Sequence, residues 1–276
     1  MRTFGEVTER LRRSTVQVFS GNPRSGGSGV IWSADGVILT NAHVVHSSQT
    51  KVELWDGQRF DATITAYDSR RDLARLRIPE SGLPAASVGD SRALRPGDLA
   101  IAIGSPLGFS GALTTGIIHS VGPIPGMGRR TWVQATARLA PGNSGGPLAD
   151  THGNVVGINT AIAYGLGLAV PSHDIAEFLR RGSRPRLGVT LRPVGFDRDR
   201  AGMLVLEVEP GGAADNASLR VGDILTSCNG QQLDSVDSLG DALDAASGPI
   251  ALQFLRGDYN RTRETVARLE TQVEAA

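Results

Sequence analysis

The stretch Ala140-Pro141-Gly142-Asn143-Ser144-Gly145-Gly146-Pro147-Leu148 sets one serine among three glycines and two prolines, directly before an apolar run. Glycine carries no Cβ, so several backbone N–H groups can converge on one point in such a bend. A serine held there is either part of an ordinary turn or a nucleophile with oxyanion donors beside it. The choice depends on whether the rest of the chain supplies a base and an acid to orient that base.

The 276 residues suffice for one large or two modest domains with their own cores. Lys+Arg and Asp+Glu both number 28, and the zero net charge argues against nucleic acid or an anionic membrane as the main partner. High glycine (35 residues) and low aromatic content (5%) suit many short strands joined by tight turns. The single cysteine, Cys228, lies in the apolar run Ile224–Cys228 and reads as a small buried hydrophobe. Met1–Arg13 contains no apolar signal core, and no segment approaches the roughly 18 apolar residues of a membrane span. The sequence as written predicts a cytoplasmic protein, with a periplasmic one as the alternative if a leader was trimmed.

Thr3 and Glu6 form a capping-box pattern before a helix to about Arg13, with Phe4, Val7 and Leu11 on one face. Short alternating runs follow. Val16–Phe19, Ser28–Trp32, Val37–Thr40, Lys51–Leu54, Arg59–Tyr67 and Leu73–Ile78 read as strands, with a loop at Gly21–Gly27 and a hairpin about Ala34-Asp35-Gly36. A second series comprises Leu99–Ile103, Leu113–Val121, Trp132–Ala137, Pro147–Ala149, Val155–Thr160 and Leu168–Val170, closed by a helix at Ser172–Arg181. Two such runs fit two small antiparallel barrels better than one sandwich. The polar, turn-rich Arg181–Arg186 marks a domain boundary. Beyond it, strands and helices around Ala213–Leu219 and Val236–Ala246 match one small α+β domain. The expected domains are residues 1–182 and 187–272.

A serine hydroxyl needs a general base to take its proton. His43, in Thr40-Asn41-Ala42-His43-Val44-Val45, stands at the end of a hairpin strand that can fix an imidazole. With His46 it could instead ligate a metal, but no acidic partner follows at metal-site spacing, so no metal is expected. Asp72, just before the strand Leu73–Ile78, is placed to orient the imidazole; Asp68 in the same loop competes, and Arg70 and Arg71 could pair with either. The order His43, Asp72, Ser144 is one of the known chain orders of a Ser-His-Asp triad.

These residues lie in segments that resemble the trypsin-like protease domain of the HtrA (Deg) family. The segments are Gly27–Ile31, Thr40–Val45, Asp68 with Asp72-Leu73-Ala74, Ala102–Gly108, Pro141–Leu148, Gly157–Thr160 and Leu168–Ser172. The resemblance implies a double β-barrel with His43 as general base, Asp72 as its orienter and Ser144 as nucleophile. It places the oxyanion hole on the Gly142 and Ser144 amides. The remainder resembles one circularly permuted PDZ domain. Arg186-Leu187-Gly188-Val189 corresponds to the carboxylate-binding loop and the helix Asp237–Ala246 to the opposite groove wall; an interdomain spacer is the alternative role. The implied function is ATP-independent serine endopeptidase activity on unfolded or damaged proteins, without cofactor or metal, in a homotrimer held through the N-terminal segment and Phe4. A chaperone-like or PDZ adaptor protein is the rival.

Three positions depart from the family pattern: Thr136 replaces an aspartate, Arg138 a small residue and Ala140 an asparagine. Arg138 either favours acidic residues at the cleavage site or points to solvent. The second is the expectation, with Leu139, Ile162 and Leu166 forming a pocket for small aliphatic side chains. The loop Tyr164–Gly167 is shorter than usual for the family.

Overall fold

Helix α1 (Phe4–Arg13) begins at the predicted capping box: the Thr3 hydroxyl accepts from the Glu6 amide, and the Glu6 carboxylate accepts from the Thr3 amide. Its buried face carries Val7 and Leu11. The computed structural model describes residues 3–45, 47, 49–105, 111–182, 185–197, 200–246 and 248–271. His46 and the Pro106–Gly108 part of the expected motif lie outside the described residues.

Strands β1 (Thr15–Ser20), β2 (Asn22–Ser33), β3 (Val37–Thr40), β4 (Thr50–Glu53), β5 (Arg59–Asp68) and β6 (Leu73–Arg77) close a barrel in the order β1-β2-β3-β6-β5-β4. Alternating side chains such as Val16, Val18, Ile31, Ile38, Val52 and Leu76 fill it. Of the loop expected at Gly21–Gly27 only Gly21 is a bend; residues 22–27 are the first part of β2, paired to β1 as Phe19↔Gly26 and Val18↔Gly27. A Cβ on Gly26 would stand 2.2 Å from the Val18 carbonyl oxygen, so the glycines that suggested a loop permit close strand approach.

After the short β7 (Ser87–Val88), six strands form the second barrel: β8 (Leu99–Gly104), β9 (Ala112–Pro123), β10 (Thr131–Ala135), β11 (Pro147–Ala149), β12 (Asn154–Ala163) and β13 (Leu166–Pro171). Their order is β11-β8-β9-β10-β13-β12, closed by pairing of β12 with β11, and β7 adds to β12 in parallel. Small residues, among them Ala100, Ala102, Ala135 and Ala169, dominate its interior. A third cluster includes Val7 and Leu11 of α1, Val30 and Ile103 of the two barrels, and Phe178 of α2 (Ser172–Arg181), so both helices seal apolar barrel surface.

The chain divides into two compact units after Gly182. The second contains β14 (Pro185–Arg186), β15 (Val189–Asp197), β16 (Arg200–Val208), α3 (Ala213–Asn216), β17 (Ile224–Cys228), β18 (Gln231–Gln232), α4 (Val236–Ala245), β19 (Ile250–Arg256), β20 (Asp258–Ala267) and β21 (Glu270–Thr271). Its main sheet runs β15-β16-β17-β19-β20, and its own core includes Leu187, Met203, Val205, Leu225, Leu252 and Phe254. Cys228 is buried there, and desolvation holds its thiol above the ordinary pKa. Helix α3 stops before the predicted Leu219 because Ser218 adopts φ 60°, which no helix continues through. The fold is mainly β: a double antiparallel β-barrel followed by a small α+β unit.

Candidate active site

Each side chain singled out around Ser144 is set by a different element. His43 lies in a single helical turn, Ala42–Val44, directly after β3. Asp72 precedes β6 with φ 54°, a left-handed conformation uncommon for a non-glycine residue. Its carboxylate receives the His43 side chain, Nδ1 lying 2.9 Å from Oδ1 and 2.8 Å from Oδ2, and the His43 amide donates to Oδ1 at 3.0 Å. Asp68 is turned away: its buried carboxylate takes the Arg71 amide at 2.9 Å and the Arg71 guanidinium at 3.1 Å.

Electrostatics follow from these contacts. The hydrogen bond that His43 makes to the Asp72 carboxylate raises the His43 pKa, and partial burial opposes it. For Asp72, burial pushes the pKa up, but hydrogen bonds from His43 and Thr160 outweigh it and leave the carboxyl below its ordinary value. The pair therefore favours a charged carboxylate beside the imidazole.

Two residues to which the sequence reading gave no role complete this side of the site. The Thr160 hydroxyl donates to Asp72 Oδ2, while the Thr160 carbonyl accepts from Ser144 Oγ at 3.1 Å. Thr160 sits at a β-bulge in β12, between the pairs Asn159↔Ala169 and Ala161↔Leu168, which turns both of its polar groups toward the site. Asn41 donates from Nδ2 to the Asp72 carbonyl at 2.9 Å. The available signals were Gly157–Thr160 and Thr40–His43, each part of a recognised segment.

The bend around Ser144 is held by its neighbours. Ser28 accepts the Ser105 amide at 2.8 Å and donates to the Gly142 carbonyl at 2.6 Å, and its own amide donates to the Ser144 carbonyl at 2.7 Å. Gly145 has φ 87°, donates to the Asn159 carbonyl at 2.8 Å, and a Cβ there would fall 1.9 Å from the Ser28 carbonyl oxygen. Among the described residues, neither the Gly142 nor the Ser144 amide donates to any acceptor.

The departures from the family pattern have local partners. Thr136 donates its amide to the Ile117 carbonyl and accepts the Ile117 amide on its hydroxyl, both at 2.9 Å, extending the β9–β10 pairing past a bulge. Ala140 accepts the Asn143 amide at 2.9 Å. Arg138 is exposed. Leu139 is half-buried against Gly167, Leu166 is half-buried, and Ile162 is 57% exposed. Tyr164 and Gly165, both with positive φ, make the tight turn between β12 and β13.

In the second unit, the Leu187 carbonyl accepts from Ala214 at 2.8 Å and the Gly188 carbonyl from Glu209 at 2.9 Å. Among the described residues the Leu187 and Gly188 amides donate to nothing. Arg186 pairs with Glu209 at 3.2 Å, and Val189 begins β15. Among the described residues, no group of three His, Cys, Asp or Glu side chains is placed to hold a metal.

A double β-barrel with an Asp-His pair and a serine in a glycine bend defines a trypsin-type protein, and the model of the trypsin-like peptidase domain matches residues 27–158. A PDZ domain model matches residues 204–256. The putative serine protease HhoA of Synechocystis is 36% identical over 267 residues, covering 84% of this chain and 68% of that protein. A probable periplasmic serine endoprotease DegP-like of Chlamydia pneumoniae is 37% identical, covering 79% of this chain and 49% of that protein. The solved structure of the HtrA-type protease AlgW with decapeptide superposes with TM-score 0.63 at 27% identity, covering 99% of this chain and 100% of that one. The chain belongs to the HtrA family of serine proteases. It spans about half to two thirds of the length of the curated relatives it matches.

Proposed function

We propose that this chain is an ATP-independent serine endopeptidase that hydrolyses unfolded or damaged proteins. The observation that carries the reading is the Asp72 carboxylate astride His43 Nδ1, beside a serine bend with two unengaged amides. In this reading Asp72 fixes the tautomer of His43, so that Nε2 is the free base. Ser144 Oγ leaves the Thr160 carbonyl, gives its proton to His43 Nε2 and attacks the substrate carbonyl carbon. The oxyanion is held by the Gly142 and Ser144 amides. His43 then protonates the leaving amine, and water repeats the sequence on the acyl-enzyme. Leu139, Ile162 and Leu166 form the pocket for a small aliphatic side chain, while Arg138 faces solvent.

Residues 1–182 make up the protease domain and 187–272 a PDZ domain that binds C-terminal peptides. The free Leu187 and Gly188 amides support carboxylate capture, and Arg186 and Val189 flank them. The assembly is a homotrimer through the N-terminal segment, where Phe4 is 55% exposed; light scattering on the eluted protein would refute it by finding a monomer. Among the described residues no helix is long and apolar enough to cross a membrane. The names of relatives support a periplasmic location, which cell fractionation tests.

The enzyme reading is tested by casein digestion. Wild type degrades casein and Ser144→Ala does not. If neither degrades it while both suppress aggregation of an unfolded client, the chaperone-like alternative replaces the protease.

A further inference from the structure

Arg130, immediately before β10, is a half-buried cation for which the triad chemistry has no role. Its guanidinium donates to the carbonyl of Arg70 at 3.2 Å and to that of Arg71, and lies 3.9 Å from the centre of the Trp132 ring. Nε is buried without a partner, and among the described residues no carboxylate forms an ion pair with the group. The charges that reach it are Asp72, Asp174, Asp68 and Arg71, and burial brings its pKa down to about 10. A cation without an ion pair is costly to bury, and this one holds two main-chain oxygens.

Those oxygens have a particular place in the chain. The Arg71 carbonyl belongs to the peptide unit that ends in the Asp72 amide. The next unit, carrying the Asp72 carbonyl, is held by Asn41 Nδ2 at 2.9 Å. With the peptide planes on both sides fixed, neither φ nor ψ of Asp72 is free. Its φ of 54° is a conformation that non-glycine residues keep only when the surroundings impose it.

We propose that Arg130 is a positioning residue for Asp72: by gripping the carbonyls of residues 70 and 71 it imposes the left-handed backbone that aims the Asp72 carboxylate at His43. This rests on the triad reading above. It makes the residue that leads into β10, on the second barrel, a support for the acid-base pair carried by the first. Arg130 touches neither substrate nor reacting atoms and acts only through Asp72.

The proton between His43 Nδ1 and Asp72 gives a far-downfield NMR resonance whose presence reports their contact without any turnover. In the full-length chain, Arg130→Gln should lose or broaden that resonance, and Arg130→Lys, which keeps donors and charge, should retain it. Kinetically, Arg130→Gln should lower kcat roughly 10- to 100-fold with KM nearly unchanged, the scale of a catalytic group displaced by about 1 Å. In an Asp72→Asn background the same substitution should cost less than about 2-fold, because its route of action is gone. If Arg130→Gln does not fold, Arg130→Met takes its place. The proposal is overturned if the donor-less Arg130→Met keeps the wild-type resonance, or if the kcat loss of Arg130→Gln is as large without Asp72 as with it. Absence of Ser144-dependent hydrolysis in the wild type would instead sink the enzyme reading, while the resonance still tests the clamp.

Discussion

Thr160 touches both halves of the catalytic arrangement, giving its hydroxyl to Asp72 and its carbonyl to Ser144. The serine proton thus rests on a backbone acceptor, while His43 is already engaged by Asp72. This fixes the sign of the pH dependence. His43 acts as a base only when neutral, and the Asp72 hydrogen bond raises its pKa above the ordinary 6.5, against the opposing effect of burial. Hence kcat/KM should fall as pH drops through a value above 6.5. In Asp72→Asn the raising interaction is lost, so the acid limb should move to lower pH. Its kcat should fall by about 10⁴, because an amide that donates to Nδ1 leaves Nε2 protonated and useless as a base. A pH–rate profile of both proteins on a peptide substrate checks the two effects together. An unchanged acid limb would remove Asp72 from the mechanism.

At the scale of elements, the decisive pieces are a bend and a bulge. Gly145→Ala would drive a methyl into the Ser28 carbonyl and to within 2.3 Å of the Thr40 hydroxyl, at a φ that alanine disfavours. Ser28 and Thr40 belong to β2 and β3 of a closed barrel, so the bend has to move instead. The variant should keep its far-UV spectrum, lose at least about 10²-fold in kcat through displaced oxyanion donors, and be labelled slowly by a fluorophosphonate. Labelling at the wild-type rate would show that the bend tolerates the change. Sequence patterning foresaw most elements for a physical reason: strands such as β5 and β6 alternate between core and surface, and α1 carries its capping box. Patterning failed where a distant partner decides. The stretch after Gly21 has loop composition, but Gly26 and Gly27 are held as strand by β1, and the bulge at Thr160 depends on register with β13. The His43–Asp72 pair and the bend at Ser144 were legible because their segments are local. The grip of Arg130 on residues 70 and 71 was not, since it spans about sixty positions and leaves no local signature.

For the whole molecule, the important fact is that each unit has its own apolar core. Leu187, Met203, Leu225 and Phe254 bury one another without help from the barrels, and the Arg256 guanidinium closes that unit with a two-pronged 2.7 Å contact to the buried Asp223 carboxylate. Independent cores should melt independently, so calorimetry of the full chain should resolve two transitions. The smaller should coincide with that of a separately produced fragment spanning 183–272. The same experiment separates a peptide-binding unit from a spacer. A ligand that binds only the folded state at a hundred times its Kd adds about 2.7 kcal/mol to stability. For a unit of this size that amounts to roughly 10 °C or more in Tm. A peptide with a free C-terminal carboxylate should therefore raise the smaller transition. Its C-terminal amide should not, since it presents no anion to the Leu187 and Gly188 amides. Equal shifts by the two peptides would refute carboxylate capture. If a carboxylate-terminated library shifted nothing, the unit would be left with the role of a spacer.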